Sequence, residues 1–246
     1  MANAHMLSID LAKRSFQVCA TDRAGSVLYN RTISRPKLEA LLKALPRCIV
    51  AMEACATSHF WGRFAGAEGH EVRLIPPIYV KPFVKRQKND AADAAVIAEA
   101  AARPNLHFVA VKSAEHQARA VAYRTHQCFV SQRTQTINAL RGHLAEFGLV
   151  FSQRVPHLKE IRAAMDDDDV DVPPGIREIA GLCLEHIDTL SAKIDELSLK
   201  LREAMAVSVE LRRLCTVPGV GPVTAGAIMA FAPDLRTFAS GRNFAA

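Results

Sequence analysis

Four carboxylates sit where packing alone would not place them. Asp10 ends the apolar run Met6-Leu-Ser-Ile-Asp10, and Glu53 ends a second, Ile49-Val-Ala-Met-Glu53. Asp90 and Asp93 open a helical pattern in Lys88-Asn-Asp-Ala-Ala-Asp-Ala94. An unpaired charge at the end of a buried strand is expensive. A hard divalent cation reverses that balance, because Mg²⁺ or Mn²⁺ takes oxygen ligands and neutralises them. Two strand-end carboxylates plus an i, i+3 pair on one helix face are the ingredients of a two-metal phosphodiester site. In that site Asp10, Glu53, Asp90 and Asp93 are both metal ligands and catalytic groups. Each has a plainer use taken singly. Asp10 and Glu53 can end strands and face water, and Asp90 and Asp93 can sit at the positive end of a helix capped by Asn89, worth ~0.3–1 kcal/mol. The combination is what favours metal.

The elements that must position them follow from hydrophobic period. Residues 4–33 read as strands: 6–10, 15–21 and 26–32, with Asp22-Arg-Ala-Gly25 as a hairpin turn. Leu38, Leu41, Leu42 and Leu45 have helical spacing. A strand over 48–53, a helix over 58–67, a short strand over 72–75 and helices over 77–86 and 90–102 complete the series. Three hairpin-like strands followed by alternating helix and strand is the order of a ribonuclease H-type mixed α/β sheet. There the first and fourth strands are neighbours, which brings Asp10 to Glu53.

Two further segments suit a phosphate backbone. Lys81-Pro-Phe-Val-Lys-Arg-Gln-Lys88 carries Lys81, Lys85, Arg86 and Lys88 and no acid, directly before the Asp90 helix. In Val217-Pro-Gly-Val-Gly-Pro-Val-Thr-Ala225, Gly219 and Gly221 let backbone amides approach a phosphate closely at a helix start, with Thr224 in the following turn. This is the hairpin of helix-hairpin-helix DNA-binding modules; the plain alternative is a helix–helix turn with a glycine stop. Between these segments lie one long amphipathic helix over 113–148, an irregular stretch over 151–174 and a second long helix. In that second helix Cys183, Ile187, Leu190, Ile194, Leu197, Leu201 and Ala204 form a heptad seam. The seam suits self-association, with packing inside the monomer as the alternative.

The bulk composition agrees. The 246 residues carry a formal charge of +6 and are 50% hydrophobic, enough for real cores and modestly suggestive of a polyanionic partner. The six cysteines are scattered without a CxxC, which fits reduced thiols in a cytoplasmic protein. No apolar run is long enough to span a bilayer.

Asp10 in Ile9-Asp-Leu-Ala-Lys13, Glu53 in Ala51-Met-Glu-Ala54 and the segment 88–94 together resemble the DEDD transposases of bacterial insertion sequences, whose N-terminal domain is similar to the RuvC Holliday-junction resolvase. Residues 218–226 and Phe238-Ala-Ser-Gly-Arg242 resemble the start of that family's C-terminal domain. The resemblance covers essentially the whole chain. It implies recombination of element DNA, metal at the tetrad, a guide (bridge) RNA, and homodimers or tetramers joined partly through the long helices. It implies three parts: a RuvC-like catalytic domain over 1–110, a helical or coiled-coil linker over 111–210, and the start of a helix-hairpin-helix-containing domain over 211–246. The family's serine nucleophile follows a Gly-Leu-hydrophobic-Pro segment, and the chain stops at Ala246 before one, so it reads as a C-terminally truncated transposase. Ser240 lies in a different motif and is not given that role. The rival readings are a non-catalytic nucleic-acid-binding protein and, ranked lower, an actin-like or sugar-kinase-like ATPase. The ATPase would need glycine-rich phosphate turns that residues 11–15 lack.

Overall fold

Two short strands have the same burial pattern. In β1 (Met6–Asp10) and β4 (Ile49–Glu53), four buried residues are followed by one half-buried acid. The computed structural model describes residues 4–80, 90–152, 158–232 and 238–245, and their side chains except at 90–92, 204–207 and 245. The chain divides into two units, Met1–Ser113 and Ala114–Ala246.

In the first unit β1 pairs antiparallel with β2 (Ser15–Thr21), which pairs antiparallel with β3 (Val27–Ser34). The β2–β3 turn is closed by Asp22, whose Oδ1 accepts the amides of Ala24 and Ser26, and by Gly25 at φ 86°. Helix α1 (Arg35–Ala44) then crosses back, and β4 adds parallel to the other side of β1. Helix α2 (Ser58–Ala67) leads to β5 (Glu71–Ile75), parallel to β4. The resulting order β3-β2-β1-β4-β5 is the mixed ribonuclease H-like α/β sheet expected from the sequence.

Side-chain alternation sorts this sheet into two cores. Leu7, Ile9, Phe16, Val18, Val50, Met52 and Leu74 face α1 and α2, around the fully buried Trp61. Met6, Ile49, Ala51 and Ile75 face α4 (Asp90–Ala101), preceded by the short α3 (Pro77–Val80). The buried His70 ties the first core together. Its Nε2–H donates to the Leu42 carbonyl at 2.8 Å and its Nδ1 accepts the Cys48 amide at 3.3 Å, an assignment that puts the proton on Nε2. Burial pushes the neighbouring Cys48 thiol up to about 11.

The second unit is helical. Helix α5 (Ala114–Ala145) ends where Gly148 takes φ 77°. Helix α6 (Leu158–Asp166) follows, and α7 (Pro174–Val207) runs back along α5. His126 meets Ser198, Lys193 lies over the Phe129 ring and Arg133 reaches Ser191, so the two long helices are antiparallel. His126 is held below the ordinary imidazole pKa, first by burial and then by Arg133. Helices α8 (Val209–Leu214), α9 (Pro222–Phe231) and α10 (Gly241–Ala245) complete the unit.

Two expectations are corrected here. Residues 151–174 are not irregular throughout. Leu158, Ile161 and Met165 recur at helical spacing, alternate with the polar Lys159, Glu160 and Arg162, and join the core of the α5–α7 pair. The heptad seam is not an open self-association line either. Ile187, Leu190, Ile194 and Leu201 are buried on the side that packs on α5 of the same chain. A long antiparallel neighbour on one chain fills the groove before a second copy can. Ala204 lies in α7, but its side chain is outside the described residues.

Candidate metal centre and nucleic-acid interface

The β1–β4 register runs from Met6↔Ile49 to Ile9↔Met52, and the next residues on the two strands are Asp10 and Glu53. Neighbouring strands lie ~4.7–4.9 Å apart, so the two backbones are as close as a sheet allows. Asp10 continues the face of Met6 and Ser8, and Glu53 that of Ile49 and Ala51. Both acids therefore sit on the α4 side, at the carboxyl ends of parallel strands and half-exposed. Cys55 registers their joint field. Although much of the residue is exposed, its thiol is pushed up by burial of the sulfur, then by the carboxylates of Glu53 and Asp10.

Helix α4 crosses the same face. Its buried alanines, Ala94, Ala98 and Ala101, let the helix backbone come close to the sheet. The contact is direct: buried Ser8 Oγ lies 2.6 Å from the Ala94 carbonyl and 3.1 Å from that of Cys19. A hydroxyl has one proton, so the shorter bond takes it. The first turn of α4 is thereby pinned over β1, two residues from Asp10 along the strand face. Asp93, half-buried, precedes Ala94 in that turn. Asp90 starts α4, and its side chain lies outside the described residues. Lys81, Lys85, Arg86 and Lys88 also lie outside the described residues. Sequence reasoning passed over Ser8 and Cys55. The signal for Ser8 was available, as a small polar residue inside an apolar strand and in phase with Asp10.

Two carboxylates on adjacent strand ends suit a small hard cation. Mg²⁺ is usually held by one or two carboxylates and completes its shell with water and substrate phosphate. Among the described residues no group of three or more His, Cys, Asp or Glu side chains converges to hold a metal ion. The pair Asp10 and Glu53, with Asp93 on the helix above the same face, fits such an open site in donor type.

In the second unit, Gly219 and Gly221 lie in the hairpin joining α8 to α9. Ser208 caps α8 by accepting the Leu211 amide at 3.3 Å. Leu211 packs with Ala225 and Met229 to close the pair. Gly219 has φ 84°, the left-handed region that favours glycine. Gly221 is the residue before α9 and has no side-chain cap over the helix start, with Pro222 next. A methyl group added at Gly221 meets nothing within 4 Å. Thr224 is exposed in the first turn of α9. The exposed Arg212 and Arg213, in the last turn of α8, flank this hairpin and were not singled out from sequence. Ser240 is occupied locally: its hydroxyl donates to Asn243 Oδ1 at 3.0 Å and accepts the Asn243 amide at 3.3 Å.

Comparison with known proteins decides the family. A model of the IS110-type DEDD transposase domain, described as a transposase, matches residues 7–148, and one described as the transposase IS116/IS110/IS902 family matches residues 211–246. The chain belongs to this transposase family. Its relatives include a protein of Pseudomonas aeruginosa named "Probable family 20 transposase", 39% identical over 99% of this chain and 73% of the relative. The transposase for insertion sequence element IS1328 of Yersinia enterocolitica is 34% identical over 100% of this chain and 73% of its own length. The transposase for element IS1111A of Coxiella burnetii is 30% identical over 100% and 68%. The first IS110-type match begins at Leu7 in β1 and takes in Asp10, Glu53, Asp90 and Asp93; the second covers the α8–α9 hairpin. Membership in a transposase family displaces the ATPase reading, which shared the sheet order and an early strand Asp. Among the described residues no helix is long and apolar enough to cross a membrane.

Proposed function

We propose that this transposase chain acts on the phosphodiester backbone of insertion-sequence DNA at a divalent metal centre held by Asp10, Glu53, Asp90 and Asp93, with Mg²⁺ or Mn²⁺ as the ion. The observation that supports it most is the adjacency of Asp10 and Glu53 in register, on the face that the first turn of α4 covers. The metal would supply charge neutralisation and polarisation at the reacting phosphate. The chain's own residues do the positioning. Strands β1 and β4 fix two carboxylates, and the Ser8 contact holds the Asp93 turn over them. Lys81, Lys85, Arg86 and Lys88 steer the nucleic-acid backbone. The α8–α9 hairpin, through Gly219, Gly221 and Thr224, grips a second stretch of backbone. A guide (bridge) RNA shares these surfaces. Functionally we keep three parts, 1–110, 111–210 and 211–246. Assembly as a homodimer or tetramer uses the outward side of the long helices, where Ile179 and Leu182 are exposed.

Calorimetric titration with Mn²⁺ tests the centre. Asp10→Asn and Glu53→Gln should each weaken binding by roughly tenfold or more, the loss of one charged ligand, with an unchanged far-ultraviolet circular dichroism spectrum. Unchanged affinity in both variants rules the centre out. That outcome would favour the second reading, a non-catalytic nucleic-acid-binding protein. Its support is that no three ligating side chains converge among the described residues.

The hairpin has its own test. Gly221→Ala meets open space and keeps an allowed backbone, so stability should change by less than about 0.5 kcal/mol. The added methyl stands where a phosphate would approach, and affinity for duplex DNA should fall about tenfold, one lost charge-assisted contact. Retained affinity in a folded variant would move the DNA contact elsewhere.

A further inference from the structure

A cavity of about 260 Å³ lies in the second unit, between the last turns of α5 and the chain that folds back beyond Gly148. Asn138, Arg141, Gly142 and Ala145 line it from one stripe of the helix, and Val150 and Phe151 line it from the returning chain. Three features set it apart from an ordinary surface dent.

Arg141 is half-buried, and its Nη2 is shielded from solvent with no hydrogen-bond partner among the described residues. A guanidinium offers five donors in a fixed planar fork, and a shielded donor left unpaired is costly. Among the described residues no acid lines the cavity, so none of them answers the charge there. Gly142 stands in the last turn of α5, and glycine within a helix is less favourable than alanine. Nothing in the fold demands it: its φ is not in the left-handed region, and an added methyl would meet nothing within 4 Å. Its effect is to keep the wall of the cavity low beside Arg141. The rest of the lining is Ala145, Val150 and the half-buried Phe151.

From this lining we infer that the cavity takes one unpaired guanine of a single-stranded nucleic acid. This rests on the reading of the chain as a nucleic-acid enzyme. A phosphate alone would leave most of the volume empty and would gather more than one cation. The volume is below the ~300–1,000 Å³ of sites for larger organic ligands, and suits one flat ring. Unpaired bases are recognised by stacking or apolar contact on the ring and hydrogen bonds on its edge. Here Phe151 and Val150 supply the apolar surface. Once the guanidinium swings out to the base, Arg141 supplies the fork that matches the O6 and N7 acceptors of guanine, and Asn138 adds a second polar group at the rim.

The test uses the full chain and fluorescein-labelled RNA pentamers, UUGUU, UUAUU and UUUUU, followed by anisotropy, with a long DNA duplex titrated in parallel. Wild type should bind UUGUU about tenfold more tightly than UUUUU, the discrimination of one bidentate contact, with UUAUU weaker than UUGUU. Arg141→Lys keeps the charge and loses the fork. It should bring the three pentamers within twofold of one another while UUUUU binding is unchanged. Gly142→Ala should raise the thermal stability of the second unit and lower the guanine preference, opposite signs that a purely structural glycine would not give. Absence of guanine preference in wild type overturns the inference, as does its survival in Arg141→Lys. So does displacement of all three pentamers alike by inorganic phosphate, which would make the cavity an anion site. Any of these with intact duplex binding leaves the nucleic-acid reading standing. Loss of binding to both duplex and pentamers in wild type overturns that reading together with this one.

Discussion

Replacing Trp61 with alanine is expected to destabilise the first unit by about 3–5 kcal/mol, the range for emptying a fully buried aromatic site. Trp61 has no exposed surface and meets Phe16, Phe60 and Phe64 edge-on at centroid distances of 5.2, 5.2 and 5.9 Å. Arg35 lies over its ring at 4.9 Å. Its indole nitrogen is buried with no partner among the described residues, so Trp61→Phe loses ring volume and none of the described hydrogen bonds, and should cost less than half as much. Because Trp61 is the only tryptophan, unfolding of the variants is followed by circular dichroism rather than by tryptophan fluorescence. The two units can unfold in separate steps, and the loss belongs to the step of the first. A cost under about 1 kcal/mol for Trp61→Ala would mean that α2 is not anchored to the sheet by this side chain.

The second large effect is in the other unit. Leu190→Lys should destabilise the α5–α7 pair by about 3–5 kcal/mol, combining a lost core side chain with an ammonium placed at a buried position. Leu190 is 3% exposed, and the neighbouring Ser191 accepts from Arg133 across the pair, so the new charge also lies near a like one. The readout separates two meanings of the seam. Loss of helical signal at lower denaturant shows that it holds one chain together. A fully stable variant that merely changes its mass by light scattering would restore the seam as a junction between copies.

Much of the first unit was legible because its signals are local. Strands β1, β2 and β4, the turn before Gly25 and helix α2 follow from period and turn chemistry, and their order leads to the sheet. The two strand-end acids were legible for the same reason: an apolar run ending in Asp or Glu conflicts with burial wherever it is read. The hairpin around Gly219 and Gly221 was visible as paired glycines ahead of a proline, a pattern confined to a few residues.

What sequence left open concerns which partner fills a face. The seam from Cys183 to Leu201 carries the same heptad whether its groove is closed by another copy or by α5, and only the tertiary structure chose α5. Helix α6 carries its amphipathic spacing openly in Leu158, Ile161 and Met165, and at 9 residues it was short enough to be passed over. Ser8 reads as a neutral member of a strand until α4 is laid across it, and the cavity at Arg141 arises from a chain reversal that no period encodes. Local period and residue chemistry thus determined the sheet order and put Asp10 beside Glu53. The packing of elements far apart in sequence decided the rest, because burial rewards whichever apolar faces meet and records no preference for one of them in the sequence itself.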